Sequence, residues 1–81
     1  MTNKSIVKRY EYFRYGYRAV RIGYNQNGDP CVAEVANPET KRMEIDNSYI
    51  PIILLEDADD LQELDEPTFA EFCLQKGVKS R

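Results

Sequence analysis

The sequence predicts a single α+β domain: an antiparallel β-meander of three to four strands with a C-terminal helical segment packed on one face. A hairpin signal at residues 17–37, an alternating stretch after it, and helix start and stop signals near the C-terminus favour this fold class. A chain of 81 residues buries roughly 60% of its unfolded surface, which is enough for one core. We therefore expect one domain over residues 1–81, with residues 1–5 and 78–81 frayed.

The first element depends on Gly16, which is either a tight turn between two strands or a bulge in one long strand. A two-residue turn at residues 15–16 places Tyr10 and Tyr12 on the face away from the core. The same register places Phe13 on the core side.

The central hairpin has the clearest signal. Asn27-Gly28 is a preferred pair for a two-residue type I′ turn, because both central residues need a positive φ. With this turn, the register places apolar residues opposite each other on one face of the hairpin and opposite charges next to each other on the other face. The predicted pairs are Val20 with Val35, Ile22 with Ala33, Tyr24 with Cys31, and Arg21 with Glu34.

A third strand follows a second turn. Residues 37–40, with Asn first and Pro second, are typical of a β-turn. After the turn, Met43 and Ile45 alternate with Glu44 and Asp46. This alternation predicts a short strand whose apolar side continues the same core.

The stretch at residues 49–55 is consistent with either a buried strand or a helix. Its isoleucines favour a strand, and Pro51 suits an edge, although the apolar positions roughly follow helical spacing. We favour a strand that ends near Leu55, with a short helix from Ala58 to Leu64.

The C-terminal helix has signals at both ends. Residues 68–71, Thr-Phe-Ala-Glu, fit a capping box, Pro67 suits the helix start, and Gly77 fits the position just past the end. Three residues share the face that should pack on the sheet. They are Phe69, Phe72 and Cys73.

Composition excludes several classes of function. The chain has no histidine, so a Ser-His or Cys-His nucleophile pair and a His-ligated zinc site cannot form within it. We expect Cys31 and Cys73 to be reduced thiols, since no secretion signal is visible. We also expect no cofactor, no metal site and no membrane segment, and hence a soluble, cytoplasmic protein.

Charge is divided along the chain. Residues 1–28 carry six basic residues against Glu11 alone, a net charge of +5, whereas residues 29–81 carry five basic and thirteen acidic residues, a net charge of −8. The basic half contains a cluster that could bind single-stranded nucleic acid by stacking and phosphate contacts, although tyrosine is also a common strand residue. The cluster is Tyr10, Tyr12, Arg14, Tyr17 and Arg21.

An acidic segment occupies residues 56–66, with seven carboxylates in eleven positions. An EF-hand begun at Asp57 would need glycine at position 62 and glutamate at position 68, but the sequence has Gln62 and Thr68. Some of these acids suit a helix start, and the rest predict a negative surface for a protein partner with a basic surface. The segment comprises Glu56, Asp57, Asp59, Asp60, Glu63, Asp65 and Glu66.

An enzyme would have to use paired acids such as Glu34 and Glu44, which could lie on neighbouring strands and face the same side. Because both positions are expected to be exposed, we predict that the protein is not an enzyme. The sequence favours a protein-binding or regulatory module that acts through the acidic segment. The alternatives are single-stranded nucleic-acid binding and a phage-type inhibitor that mimics nucleic acid with its carboxylates.

Overall fold

The computed structural model describes residues 7–55 and 59–80. These residues form a five-stranded antiparallel sheet of order β4-β3-β2-β1-β5 and two helices. The α+β prediction is confirmed, with one strand more than the predicted maximum. The elements are β1 (Arg9–Tyr15), β2 (Arg18–Tyr24), β3 (Pro30–Asn37), β4 (Arg42–Ile45), α1 (Tyr49–Leu55), β5 (Leu61–Leu64) and α2 (Glu66–Gln75).

The β1–β2 hairpin closes through a turn at Gly16 and Tyr17, so Gly16 is a turn residue and not a bulge. Gly16 has a φ of 60° and Tyr17 does not share the positive φ, which fits a type II′ turn with glycine at the first central position. The register is shifted by two residues from the predicted one. A shift of two preserves the faces, so Phe13 stays on the core side as predicted, where its partner is Val20.

The β2–β3 hairpin keeps most of the predicted register. Three of the predicted pairs are present, but Tyr24 pairs with Pro30 and not with Cys31. The three pairs are Val20 with Val35, Ile22 with Ala33, and Arg21 with Glu34.

The turn of this hairpin differs from the prediction. Asn25 N–H donates to the Asp29 carbonyl (2.9 Å), which leaves residues 26–28 as the loop, and only Gly28 there has a positive φ. This is a turn followed by a left-handed glycine, not a type I′ turn. A bulge at Cys31 absorbs the extra loop residue, so the rest of the ladder returns to the predicted register.

The turn predicted after β3 is confirmed, because Asn37 Oδ1 accepts a hydrogen bond from Glu39 N–H (2.8 Å). In β4, Met43 pairs with Ala36 and is half-buried on the face that α2 covers. Ile45 is 67% exposed. The prediction that both apolar residues of this strand continue the Val20 side of the core is therefore wrong, because the register turns them to the other face.

The predicted strand at residues 49–55 is wrong, since this stretch is the helix α1. Tyr49 and Ile53 are four residues apart, and both are buried against the sheet. Pro51 is tolerated because it lies in the first helical turn, where its missing N–H would have no intrahelical partner.

The prediction of a helix from Ala58 to Leu64 is also wrong for residues 61–64. Residues 61–64 form β5, which pairs with β1, and Ala58 lies outside the described residues. Leu61 packs against the core on one face of the sheet and Leu64 against the core on the other. A strand places these two leucines on opposite sides, which a helix could not do here.

Helix α2 begins at Glu66, and its N-cap lies three residues before Thr68, so the predicted capping box at residues 68–71 is wrong. Asp65 is the N-cap, and its Oδ1 accepts a hydrogen bond from Thr68 N–H (2.9 Å). Pro67 is in the first turn as expected. Gly77, with a φ of 77°, follows the C-cap Lys76, so the predicted helix end is confirmed.

Each face of the sheet has its own core. The core under α1 contains Phe13, Val20, Ile22, Tyr24, Ala33, Tyr49 and Ile53. The core under α2 contains Ala19, Ala36, Phe69, Cys73 and Val78, with Phe72 packed against it. The predicted packing face of α2 is thus confirmed. Val78, the first residue of the C-terminal stretch expected to fray, is fully buried in this core.

Candidate functional site

The predicted tyrosine and arginine cluster lies mainly beneath α2. The Tyr12 ring packs on Phe69 with 4.9 Å between ring centroids, and the Arg21 guanidinium lies 4.6 Å from the centroid of Tyr10. Burial, followed by the nearby charge of Glu66, raises the pKa of Tyr12. These rings are engaged in packing within the domain.

The arginines of the cluster are engaged as well. Arg14 Nε donates to the Gly16 carbonyl (3.0 Å), and its guanidinium lies 5.1 Å from the centroid of the Phe72 ring. Tyr17 is separated from the rest, because it lies in the β1–β2 turn and is 84% exposed. The structure therefore brings together four of the five predicted residues and places the fifth at the end of the sheet.

Arg21 has a clear structural role. Its Nε donates to Glu34 Oε1 (2.7 Å), and its NH1 group donates to the Ser80 carbonyl (2.5 Å). The side chains of Arg21 and Glu34 are only 15% and 19% exposed. The hydrogen bond to Ser80 holds the C-terminal tail on the sheet. Removal of either member of the ion pair would leave the other charge partly buried without its partner.

The acidic segment surrounds an edge strand. Asp59 and Asp60 immediately precede β5, Glu63 lies within it, and Asp65 and Glu66 follow it, all five exposed. β5 is the last strand of the order, so no strand among residues 7–55 and 59–80 lies along its outer side. The two remaining predicted residues, Glu56 and Asp57, lie outside the described residues.

The hydrogen-bond pattern shows which backbone groups of β5 face outward. The Asp60 carbonyl accepts a hydrogen bond from Gly16 N–H (3.1 Å), and the antiparallel pairing continues along β1. In such a ladder alternate residues bond to the neighbour, so Gln62 and Leu64 face β1. Leu61 and Glu63 therefore direct their N–H and C=O groups away from the sheet.

The carboxylates of this edge divide into two groups. Asp65 is committed to capping α2, and the hydrogen bonds from the Thr68 hydroxyl and then its N–H hold the pKa of Asp65 below its ordinary value. Among residues 7–55 and 59–80, no ion pair joins Asp59, Asp60 or Glu63 to a basic side chain. These three carboxylates precede β5 or lie within it, whereas Glu66 is already in the first turn of α2.

The paired acids considered for catalysis do not meet. Glu34 pairs with Ile45, whereas Glu44 pairs with Val35, so the two carboxylates point to opposite faces of the sheet. The prediction that they face the same side is wrong. Hydrogen bonds from the side chains of Thr40 (2.7 Å) and Asn37 (3.0 Å) lower the pKa of Glu44, which has a structural role in the β3–β4 turn.

Both cysteines are free thiols. Cys31 is half-buried. Cys73 lies on the side of α2 that faces the sheet, and its burial there raises the pKa of its thiol. Within the two described ranges, no group of three or more histidine, cysteine or acidic side chains could hold a metal ion. No helix in these ranges is long and apolar enough to cross a membrane.

A cavity of about 410 Å³ lies at the end of the sheet, and no motif in the sequence indicates it. The β1–β2 turn, the β3–β4 turn, the start of α1 and Lys76 after α2 all contribute to its wall. Its residues come from four separate segments, so no local pattern could reveal it. The one visible signal was Tyr17, an aromatic residue at a position where a turn needs none.

Comparison with family models, with curated proteins and with solved structures finds no match for this chain.

Proposed function

We propose that the protein is a non-enzymatic binding module that captures an extended, basic segment of a partner protein along β5. The observation that supports this proposal is the coincidence of two features at one edge of the sheet. In the part of the chain that the structure describes, the outward backbone groups of β5 have no neighbouring strand, and Asp59, Asp60 and Glu63 lie immediately before or within this strand.

The backbone supplies the first part of the interaction. An extended segment that adds to a sheet edge bonds to the outward N–H and C=O groups of alternate residues. On β5 these residues are Leu61 and Glu63, which together offer about four hydrogen bonds. A strand of four residues gives only a short ladder, so we expect modest affinity and rapid exchange.

The carboxylates supply selectivity. Lys and Arg side chains of an added strand would lie near Asp59, Asp60 and Glu63, and exposed pairs of this kind each contribute about 0.2–1 kcal/mol. Salt weakens such attraction because it screens exposed charges. The same carboxylates repel an acidic segment, and they also repel the β5 edge of a second copy.

The proposal is tested by NMR titration of the isotope-labelled protein with a short capped peptide that alternates lysine and valine. We expect shifts concentrated at the amides of residues 59–65 that diminish as salt is raised. A matched peptide with glutamate in place of lysine should produce none. Shifts of equal size with both peptides, or shifts confined to other parts of the sheet, would refute the proposal.

A pair of charge-matched variants separates the edge from net charge. Asp60→Asn/Glu63→Gln and Asp29→Asn/Glu39→Gln each remove two exposed carboxylates. We expect the first variant to weaken peptide binding and the second to leave it nearly unchanged. Equal weakening in both would show that the peptide responds to overall charge and not to β5.

The two nucleic-acid alternatives have less support. The stacking proposal needs open rings, but Tyr12 packs on Phe69, and Arg21 lies over Tyr10. Inhibition by nucleic-acid mimicry would use the same carboxylates against a basic groove and stays a prediction. A titration with single-stranded oligonucleotides that perturbs Tyr10 would favour the stacking proposal.

A further inference from the structure

We propose that the cavity at the end of the sheet is a second binding site, which takes a nucleoside monophosphate whose base carries an amino group. This turn-end cavity lies between the β1–β2 and β3–β4 turns, beside Tyr49 and Lys76. Its volume of about 410 Å³ is within the range of small-molecule sites. The site shares no residue with the β5 edge.

Tyr17 provides a ring for stacking. The type II′ turn needs glycine at position 16, but it makes no demand for an aromatic residue at the next position. Tyr17 is 84% exposed, so core packing does not account for it either. A ring at the wall of a cavity offers its face to a planar base, and such stacking is tolerant of base identity.

Arg18 provides a positioned cation. Its NH1 group donates a hydrogen bond to the hydroxyl of Tyr49, a residue only 5% exposed in the core under α1. The buried ring thus anchors the guanidinium at the cavity wall and leaves other N–H groups of the arginine for a ligand. Arginine binds phosphate oxygens with paired hydrogen bonds, which gives directional as well as electrostatic recognition.

Lys76 provides a second cation from the end of α2. Its Nζ lies 4.5 Å from the centroid of the Phe72 ring, a contact that restrains the side chain. In the part of the chain that the structure describes, neither Lys76 nor Arg18 forms an ion pair with a carboxylate. Two cations against the single acid of the wall, Glu39, favour a ligand with the double negative charge of a phosphate group.

Glu39 gives the site its preference among bases. Its backbone N–H donates to Asn37 Oδ1 (2.8 Å), which fixes the backbone of this residue at the cavity wall. A carboxylate accepts hydrogen bonds and cannot donate them, so it suits the exocyclic amino group of adenine, cytosine or guanine. It suits uracil less well, because the one N–H donor on the pairing edge of that base, N3–H, lies between two carbonyl oxygens that repel a carboxylate.

The test is an NMR titration of the full chain with four probes: adenosine monophosphate, uridine monophosphate, adenosine, and ribose phosphate. We expect adenosine monophosphate to perturb Tyr17, Arg18 and Lys76 and to bind more tightly than the other three. Equal binding of ribose phosphate would show a phosphate-only contact and would overturn the proposal. The absence of perturbation at these three residues would overturn it as well.

Variants identify the groups that act. Tyr17→Ser keeps an exposed turn residue and should weaken adenosine monophosphate binding about tenfold, as loss of base stacking does in other sites. Lys76→Gln should weaken binding of both monophosphates, while Lys79→Gln, a matched loss of charge outside the cavity, should not. Full affinity in Tyr17→Ser, or an equal loss in Lys79→Gln, would refute the assignment. Melting curves confirm that each variant is folded.

Discussion

Proline substitution in β5 tests whether the outer edge of this strand forms the binding surface. The N–H of Glu63 faces outward, whereas the N–H of Gln62 bonds to β1. Proline lacks this N–H group and is accepted on edge strands where the missing donor faces solvent. Glu63→Pro should therefore keep the fold and block strand addition, while Gln62→Pro should damage the β1–β5 pairing itself.

The expected magnitudes follow from the hydrogen bonds involved. One backbone hydrogen bond contributes about 0.5–1.5 kcal/mol net, so its loss from the peptide complex weakens Kd by about 2- to 13-fold. The proline ring also obstructs the approach of a strand, which places the Glu63→Pro effect near the upper limit. In Gln62→Pro the β1–β5 ladder loses a hydrogen bond and leaves its acceptor unpaired, and the free energy of unfolding should fall by about 1–3 kcal/mol.

The assay compares Glu63→Pro with Glu63→Gln in the lysine and valine peptide titration. The glutamine variant removes the charge and keeps the N–H, so the difference between the two variants isolates the backbone contribution. Chemical denaturation of both variants and of Gln62→Pro gives their stabilities. If Glu63→Pro and Glu63→Gln bind the peptide equally well, strand addition along β5 is refuted and only surface charge remains.

Three further predictions concern the scaffold. Phe69→Ala should lower the free energy of unfolding by about 3–5 kcal/mol in a denaturant titration, because the side chain is fully buried, whereas Ile45→Ala on the exposed edge should change it by less than about 0.5 kcal/mol. Folding lowers the pKa of Asp65, so the contribution of this carboxylate to stability is complete above about pH 4 and is lost as pH falls below that value. Asp65→Asn keeps the helix cap but does not titrate, so its free energy of unfolding should fall less steeply as the pH is lowered. A thiol reagent should modify half-buried Cys31 faster than Cys73, whose thiol is buried with a raised pKa, and equal rates in the native protein would contradict this burial.

Elements defined by local chemistry were predictable from the sequence. The pairing of Arg21 with Glu34 followed from a turn signal and from alternation, and the end of α2 followed from Gly77. The exact turn did not follow, because a loop with one more residue and a bulge at Cys31 produce the same register in the body of the ladder. The extra loop residue and the bulge compensate for each other, so the hydrophobic pattern indicates neither of them.

Elements that depend on tertiary context were not predictable. The isoleucines of residues 49–55 suit either a strand or a helix, and the choice depends on an open sheet face that accepts Tyr49 and Ile53 from one side of a helix. The acidic segment was visible in the sequence, but the strand within it was not, since β5 exists only by pairing with β1. The position of β5 at the edge depends on the order of all five strands.

A helix covers each face of the sheet, and this arrangement determines which surfaces can bind a ligand. A two-layer domain with one helix leaves a sheet face open, which is the arrangement that a stacking platform of Tyr10 and Tyr12 would require. Here α1 and α2 cover opposite faces; Phe13 and Tyr15 of β1 pack in the core under α1, Tyr12 packs against the core under α2, and Arg21 lies over Tyr10. The surfaces that remain are the edges of the sheet and the ends of its strands. Among the described residues, the outward backbone of β5 lies beside acidic side chains, and the turn-end cavity combines the exposed ring of Tyr17 with two cations. The two sites share no residue, so the two proposals can be tested independently on one folded scaffold.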